Sequence, residues 1–137
     1  MKLDPSAFAA DPELIQALEK RSYPIVCATE RVLFKQGEAP VGVYILRQGQ
    51  TTLTMTSATG EEIMSIQAQP GALLGLPGLI SDQPYTLSAI AHAGARLGFV
   101  PRDELTNLMR SDALLALKML QVLAAEVSAA RRALLEC

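Results

Sequence analysis

Histidine occurs once in this chain of 137 residues, and cysteine twice. Those two shortages exclude most catalytic and metal chemistry. A metal-dependent β-barrel enzyme needs a cluster of histidine and carboxylate ligands. A hydrolytic triad needs a histidine between a nucleophile and an orienting acid. His92 stands alone near Gly94 at the end of a strand, and it reads as a surface or half-buried side chain. Cys27 and Cys137 are too far apart in sequence to form a disulfide framework or a metal pair. They read as one buried thiol and one frayed terminal thiol. The adjacent acids Glu61-Glu62 and Asp103-Glu104 are neighbours in sequence, so they point to different faces of a strand or helix and read as solvated. No metal site and no enzyme are expected.

An excess of positive charge is also missing. Twelve basic residues stand against 14 acidic ones, for a net charge of -2 and a pI near 5.4. A nucleic-acid-binding domain shows a basic face or a pI above about 9. Anionic lipid is disfavoured on the same ground. Met1 to Ala10 has no apolar run of the kind a secretory signal carries. The most apolar segment, Ala113 to Leu135, holds Lys118, Gln121, Glu126, Ser128, Arg131 and Arg132. A bilayer span of about 20 residues does not normally tolerate that many polar groups. The expectation is a cytoplasmic protein without membrane or nucleic-acid contacts of its own.

What is present is apolar residues in abundance, 50% of the chain, enough for one compact domain. Three parts follow along it: a helical segment over 1–24, a β-roll over 25–101 and C-terminal helices over 102–137. Asp4-Pro5 and Asp11-Pro12 each read as a helix cap followed by proline at the first helical position. From Pro12 to Arg21, Leu14, Ile15 and Leu18 share one side at helical spacing.

The middle part is strand after strand, each closed by a glycine turn. Ala28 to Phe34 ends at Gln36-Gly37-Glu38. Gly42 to Arg47 is a nearly continuous apolar run ending at Gln48-Gly49-Gln50. Thr51 to Thr56 alternates, with Leu53 and Met55 on one face and threonines on the other. Glu61 to Gln67 alternates in mixed phase, and Pro70-Gly71 turns the chain again. Tyr85 to Ala91 and Arg96 to Val100 complete the set. Short strands at regular spacing argue for an all-β roll or barrel of jelly-roll type.

Pro101 opens a short helix through Met109. Ser111 is the expected N-cap of a long helix running from Asp112 to about Leu135. That helix carries two apolar stripes. One is Ala113, Ala116, Leu120, Leu123, Val127, Ala130 and Leu134; the other is Leu115, Met119, Val122, Ala129 and Ala133. A surface helix needs one apolar stripe. Two stripes imply two packing partners: the roll on one side and a second copy of the helix on the other. A homodimer is expected through Ala116, Leu120, Leu123, Val127, Ala130 and Leu134.

In this order the pieces resemble the effector domain of the Crp/Fnr regulators, a cyclic-nucleotide-binding β-roll. The resemblance runs from about Ile25 to the C-terminus. It is carried by Leu33-Phe34-Lys35-Gln36-Gly37-Glu38, Val43-Tyr44-Ile45-Leu46-Arg47-Gln48-Gly49, Thr59-Gly60-Glu61-Glu62 and Pro70-Gly71-Ala72-Leu73-Leu74-Gly75. It implies a double-stranded β-helix with a short N-terminal helix and a long C-terminal dimerisation helix. It also implies a phosphate-binding cassette lined by Gly71, Leu74, Gly75, Leu76, Tyr85 and Thr86. In the family a glutamate after the cassette glycine takes the ribose hydroxyl, and an arginine before a Ser or Thr pairs with the phosphate. Here those positions hold Leu76 and Tyr85, and only Thr86 keeps the expected hydroxyl.

The implied module is therefore regulatory, with no cofactor and an altered cassette that disfavours cAMP and cGMP. Gly71, Gly75 and Gly78 leave backbone N–H groups that could meet another small anion, or serve only the tight loop. Some relatives sense gases through haem, which leaves His92 an axial-ligand role. The family's iron–sulfur branch needs a cysteine cluster that Cys27 and Cys137 cannot supply. Two alternatives stay open: a sensor for another small molecule, and the ligand-sensing half of a transcription regulator, binding a cyclic nucleotide or other small molecule through an altered pocket, whose helix-turn-helix would follow.

Overall fold

A computed structural model describes residues 3–135. Cys137 and the extreme ends of the first and third parts lie outside the described residues. The chain opens with a 3-10 turn, Pro5–Phe8, and helix α1, Pro12–Glu19. Both aspartates cap as their sequence implies. Asp4 Oδ1 accepts from Ser6 N–H at 3.0 Å, and Asp11 Oδ1 from Glu13 N–H at 2.8 Å.

Eight strands follow. Sheet one joins β1 (Tyr23–Val26), β8 (Arg96–Pro101), β3 (Gly42–Gln48) and β6 (Leu73–Leu74) in that order. Sheet two joins β2 (Arg31–Phe34), β7 (Ser88–Ala91), β4 (Thr51–Thr56) and β5 (Glu62–Ala68). All pairings are antiparallel. The two sheets with their flanking helices form the expected β-roll. Helix α2 (Leu76–Ser81) interrupts the roll, and α3 (Arg102–Ser111) and α4 (Ala113–Leu135) close it.

Strand β3 shows why its sequence is apolar without alternation. Tyr44 and Leu46 face the interior between the sheets, while Val43 and Ile45 face the helices. A strand covered on both sides has no solvent face to mark. Two cores result. One fills the roll with Phe34, Tyr44, Leu53, Met64 and Ile66. The other lies under the helices, where Leu14, Leu18, Leu105, Leu108, Leu115 and Met119 meet.

Several expected boundaries move. The strand expected over Ala28–Phe34 begins only at Arg31, as β2, after bends at Ala28–Thr29, and a further strand, β1, precedes it. β1 contains Pro24 and begins inside the segment expected to be helical. The proline is accommodated because β1 is the edge of its sheet, where a missing N–H costs no ladder bond. The segment Tyr85–Ala91 shortens to β7, because the backbone of Tyr85 is bonded to the 37–38 turn instead (Gly37 N–H to Tyr85 O 2.8 Å; Tyr85 N–H to Glu38 O 3.0 Å). The cap of α4 is Asp112, not Ser111. Asp112 Oδ1 accepts from Leu115 N–H at 3.1 Å, whereas Ser111 Oγ turns back to Leu108 O.

The two stripes of α4 separate as their spacing implies. Leu115, Met119, Val122, Ala129 and Ala133 are buried against the domain. Leu120, Val127 and Leu134 are exposed at 54%, 50% and 64%, with Ala116, Leu123 and Ala130 half-buried beside them. By length and composition α4 could also cross a bilayer. Its buried stripe is instead packed on the roll and on α1 and α3.

Candidate functional site

Helix α4 runs across the mouth of the roll and closes a cavity there. Three of the chain's six aromatic residues, Phe8, Phe34 and Tyr85, line it. Phe34 stacks on Tyr85 with ring centroids 4.2 Å apart, and leans on Tyr44 at 5.9 Å; Tyr44 in turn meets Phe99 at 5.0 Å. Phe8 of the 3-10 turn forms part of the wall. Rings at these separations add about 0.5–1.5 kcal/mol per pair beyond their burial.

Tyr85 is built into the fold. Its ring is buried, and its hydroxyl donates to Gly42 O at 2.9 Å while accepting from Val41 N–H at 3.1 Å. Both polar capacities of the phenol are thus spent on backbone. Gly75 allows the close approach. It sits at φ 89°, a left-handed conformation that L side chains rarely adopt, and an added Cβ would stand 3.1 Å from the Tyr85 ring.

Of the cassette residues named from sequence, Leu74, Gly75, Tyr85 and Thr86 line the cavity. Gly71 and Leu76 do not. Gly71 lies in the turn before β6, where its carbonyl accepts from Ala10 N–H. Leu76 is fully buried in the other core, among the helices. Gly78 also lines the cavity, at the first turns of α2. The enclosed space is about 40 Å³, room for about three waters. Pockets for drug-sized ligands run from about 300 Å³ upward.

No lysine or arginine lines this cavity, but a carboxyl does: Glu126 of α4. It makes no hydrogen bond or salt bridge among the described residues. Burial alone pushes its pKa up to about 8 from the usual carboxylate range. Its signal was present in the sequence. The buried stripe runs 115, 119, 122, 129, 133, and the gap at its regular three-four spacing falls on Glu126. The stripe of Leu115, Met119, Val122, Ala129 and Ala133 expected from sequence does not include it. Phe8 and Leu53, also in the wall, gave no comparable signal.

His92 lies elsewhere. Its Nε2 is 2.6 Å from Thr52 Oγ1 on the β4–β7 ladder, and Gln67 Nε2 donates to the same oxygen at 2.9 Å. It does not line the cavity. Cys27 is a buried free thiol in the roll. Among the described residues no cluster of three His, Cys, Asp or Glu side chains could hold a metal ion.

Two four-stranded sheets, a glycine-bearing loop leading into a short helix at the cavity, and a long closing helix together define a regulatory β-roll. Residues 24–112, well over half of the chain, match the cyclic nucleotide-binding domain, and the chain belongs to that family. No curated protein sequence matches it. Among solved structures it is similar to the Thermus thermophilus Catabolite Activator Protein (TM-score 0.77, 24% identity), covering 97% of this chain and 61% of that one. The N-terminal domain of a transcriptional regulator from Streptomyces coelicolor A3(2) matches at TM-score 0.66 and 23% identity, with 91% and 89% covered. The sensor domain of the transcriptional regulator DNR from Pseudomonas aeruginosa matches at 0.66 and 21%, with 83% and 77% covered. At these identities the likeness is one of fold. The chain spans about three fifths of the length of the Thermus protein.

Proposed function

We propose that this chain is a non-enzymatic, cytoplasmic regulatory module that dimerises through α4 and does not respond to cAMP or cGMP. The observation that carries the reading is Tyr85. It occupies the place where the family's resemblance puts the phosphate-binding arginine, and it is committed to Phe34, Val41 and Gly42. A phenol whose donor and acceptor are both engaged offers an anion neither charge nor a free hydrogen bond. Loss of one partner of a buried charge pair typically costs about 2–5 kcal/mol, roughly 30- to 5,000-fold in affinity. The cavity's one acidic side chain, Glu126, brings no positive charge to a phosphate, and no lysine or arginine lines the cavity.

Dimerisation is supported by the exposed stripe Leu120, Val127 and Leu134, with Leu114 and Leu117 exposed beside it at 58% and 50%. A helix face this apolar is normally covered. A second reading, the ligand-sensing half of a longer transcription regulator, is favoured by the coverage of the Thermus protein, of which this chain matches only part. On that second reading the altered pocket takes a cyclic nucleotide or another small molecule.

Thermal melting with and without 1 mM cAMP or cGMP, together with sedimentation equilibrium, tests the proposal. A ligand present at 100 times its Kd would stabilise the fold by about 2.7 kcal/mol, several degrees in Tm. Unchanged melting and a dimer at micromolar concentration are expected. A nucleotide-dependent rise in Tm, or a monomer, would count against the respective half.

A further inference from the structure

We infer that the cavity under α4 is a site for the cationic, hydrogen-bond-donating end of a small molecule, such as an amine, amidine or guanidine, with Glu126 as its anchor. The inference rests on the preceding reading, since it takes the site where a nucleotide no longer fits and assigns it a different ligand chemistry. Three independent features meet there.

The first is position. On the three-four spacing of the buried stripe, every described place except 126 holds an apolar residue. The chain sets a glutamate at the one place of that stripe that lies over a cavity. The second is the surroundings. The wall is formed by Phe8, Phe34, Leu53, Leu74 and Tyr85, and Thr86 stands exposed at the rim. None of these neutralises a carboxylate. The carboxylates Asp4, Asp82 and Glu38 are engaged elsewhere: Asp4 accepts from Ser6 N–H at 3.0 Å, Asp82 pairs with Arg102 at 2.7 Å, and Glu38 accepts from Lys35 N–H. The third is size. About 40 Å³ suits a head group of a few heavy atoms rather than a nucleotide.

A guanidinium presents paired N–H donors that match a carboxylate bidentately. Aromatic rings in the same wall add the attraction that π-systems offer to cations. A partly desolvated carboxyl without a partner holds its proton, so cation binding must displace that proton. Affinity therefore rises with pH through the neutral range. Because Glu126 belongs to α4, the ligand would bear directly on the helix that carries the exposed stripe.

Methylguanidinium chloride is the probe, titrated into the full chain and followed by backbone amide NMR shifts. Sodium acetate serves as the anion of similar size. The expected result is a saturable shift at Gly75, Thr86 and Glu126 with methylguanidinium and none with acetate. Affinity should be at least tenfold weaker in Glu126→Gln, and weaker at pH 6 than at pH 8.5. No saturable shift, an equal response to acetate, or an unchanged affinity in Glu126→Gln would overturn the assignment. Titration of the same sample with cAMP separates the two claims. Silence to both ligands removes the cation site alone, whereas saturable cAMP shifts below millimolar remove the proposed function on which it rests.

Discussion

The two halves of helix α4 are fastened in different ways. In residues 113–122, Leu115, Met119 and Val122 enter the helical core beside Leu14, Leu18 and Leu105. Lys118 reaches back to α1, 2.9 Å from Asp11 and 3.7 Å from Glu13. This pairing lowers the Asp11 pKa and raises that of Lys118. In residues 123–135 the buried stripe is Ala129, Ala133 and the carboxyl of Glu126 over its cavity. Bulky side chains make many dispersion contacts and methyl groups few. The helix is therefore anchored at its start and lightly held near the cavity. A ligand acting there would meet the half that costs least to move, the half that also exposes Val127 and Leu134.

The contrast can be broken most sharply by truncation. Met119→Ala should cost about 2–5 kcal/mol in urea unfolding, as large apolar cores do. Ala133→Gly should cost about 1 kcal/mol, little more than helix propensity. A loss at Ala133 equal to that at Met119 would show the two halves to be equally held. Next in size is the exposed stripe. Leu120→Glu combined with Val127→Glu should weaken the proposed dimer at least about a hundredfold, roughly 2.7 kcal/mol. Sedimentation velocity would show a monomer, and its unfolding should match the parent's monomer because neither side chain is buried in the domain.

A further effect is expected from pH. In the unfolded chain Glu126 releases its proton near the usual 4.5, but the folded chain holds it to about 8. Unfolding between those values releases a proton, so this group's contribution to stability declines as pH rises through that window. Glu126→Gln should remove the decline, leaving the variant with the higher Tm at pH 9 and little difference at pH 5. The depressed Asp4 and Asp11 act at lower pH and are common to both proteins, so they cancel in the comparison. A parallel pair of Tm–pH curves would contradict the burial of the carboxyl. The smallest effect belongs to Lys118→Met. Its solvent-screened pairs with Asp11 and Glu13 should shift the urea midpoint only slightly, and less still in high salt.

How legible the molecule was depends on whether a signal was local. The alternation of Thr51–Thr56, the Asp-Pro caps and the two stripes of α4 follow from neighbouring residues, and all appear in the structure. Helix α2 did not, because Leu76-Pro77-Gly78-Leu79-Ile80-Ser81 is too short for a period and contains a glycine. Strand β1 was hidden by Pro24, which only its edge position makes tolerable. The replacement of the cassette arginine by Tyr85 was readable from the family resemblance. That the tyrosine is locked to Gly42 and Val41, more than 40 residues away in sequence, was not. The separate destinations of Gly75 and Leu76 also depend on tertiary packing, which turns one toward the cavity and the other into the helical core.

The central claim is that this roll keeps the family's architecture without its phosphate chemistry. Isothermal titration of the purified chain with cAMP, repeated with cGMP, tests it most directly. No saturable heat is expected up to millimolar nucleotide. Micromolar binding would contradict it, and would mean that backbone N–H groups and Thr86 hold the phosphate without the arginine.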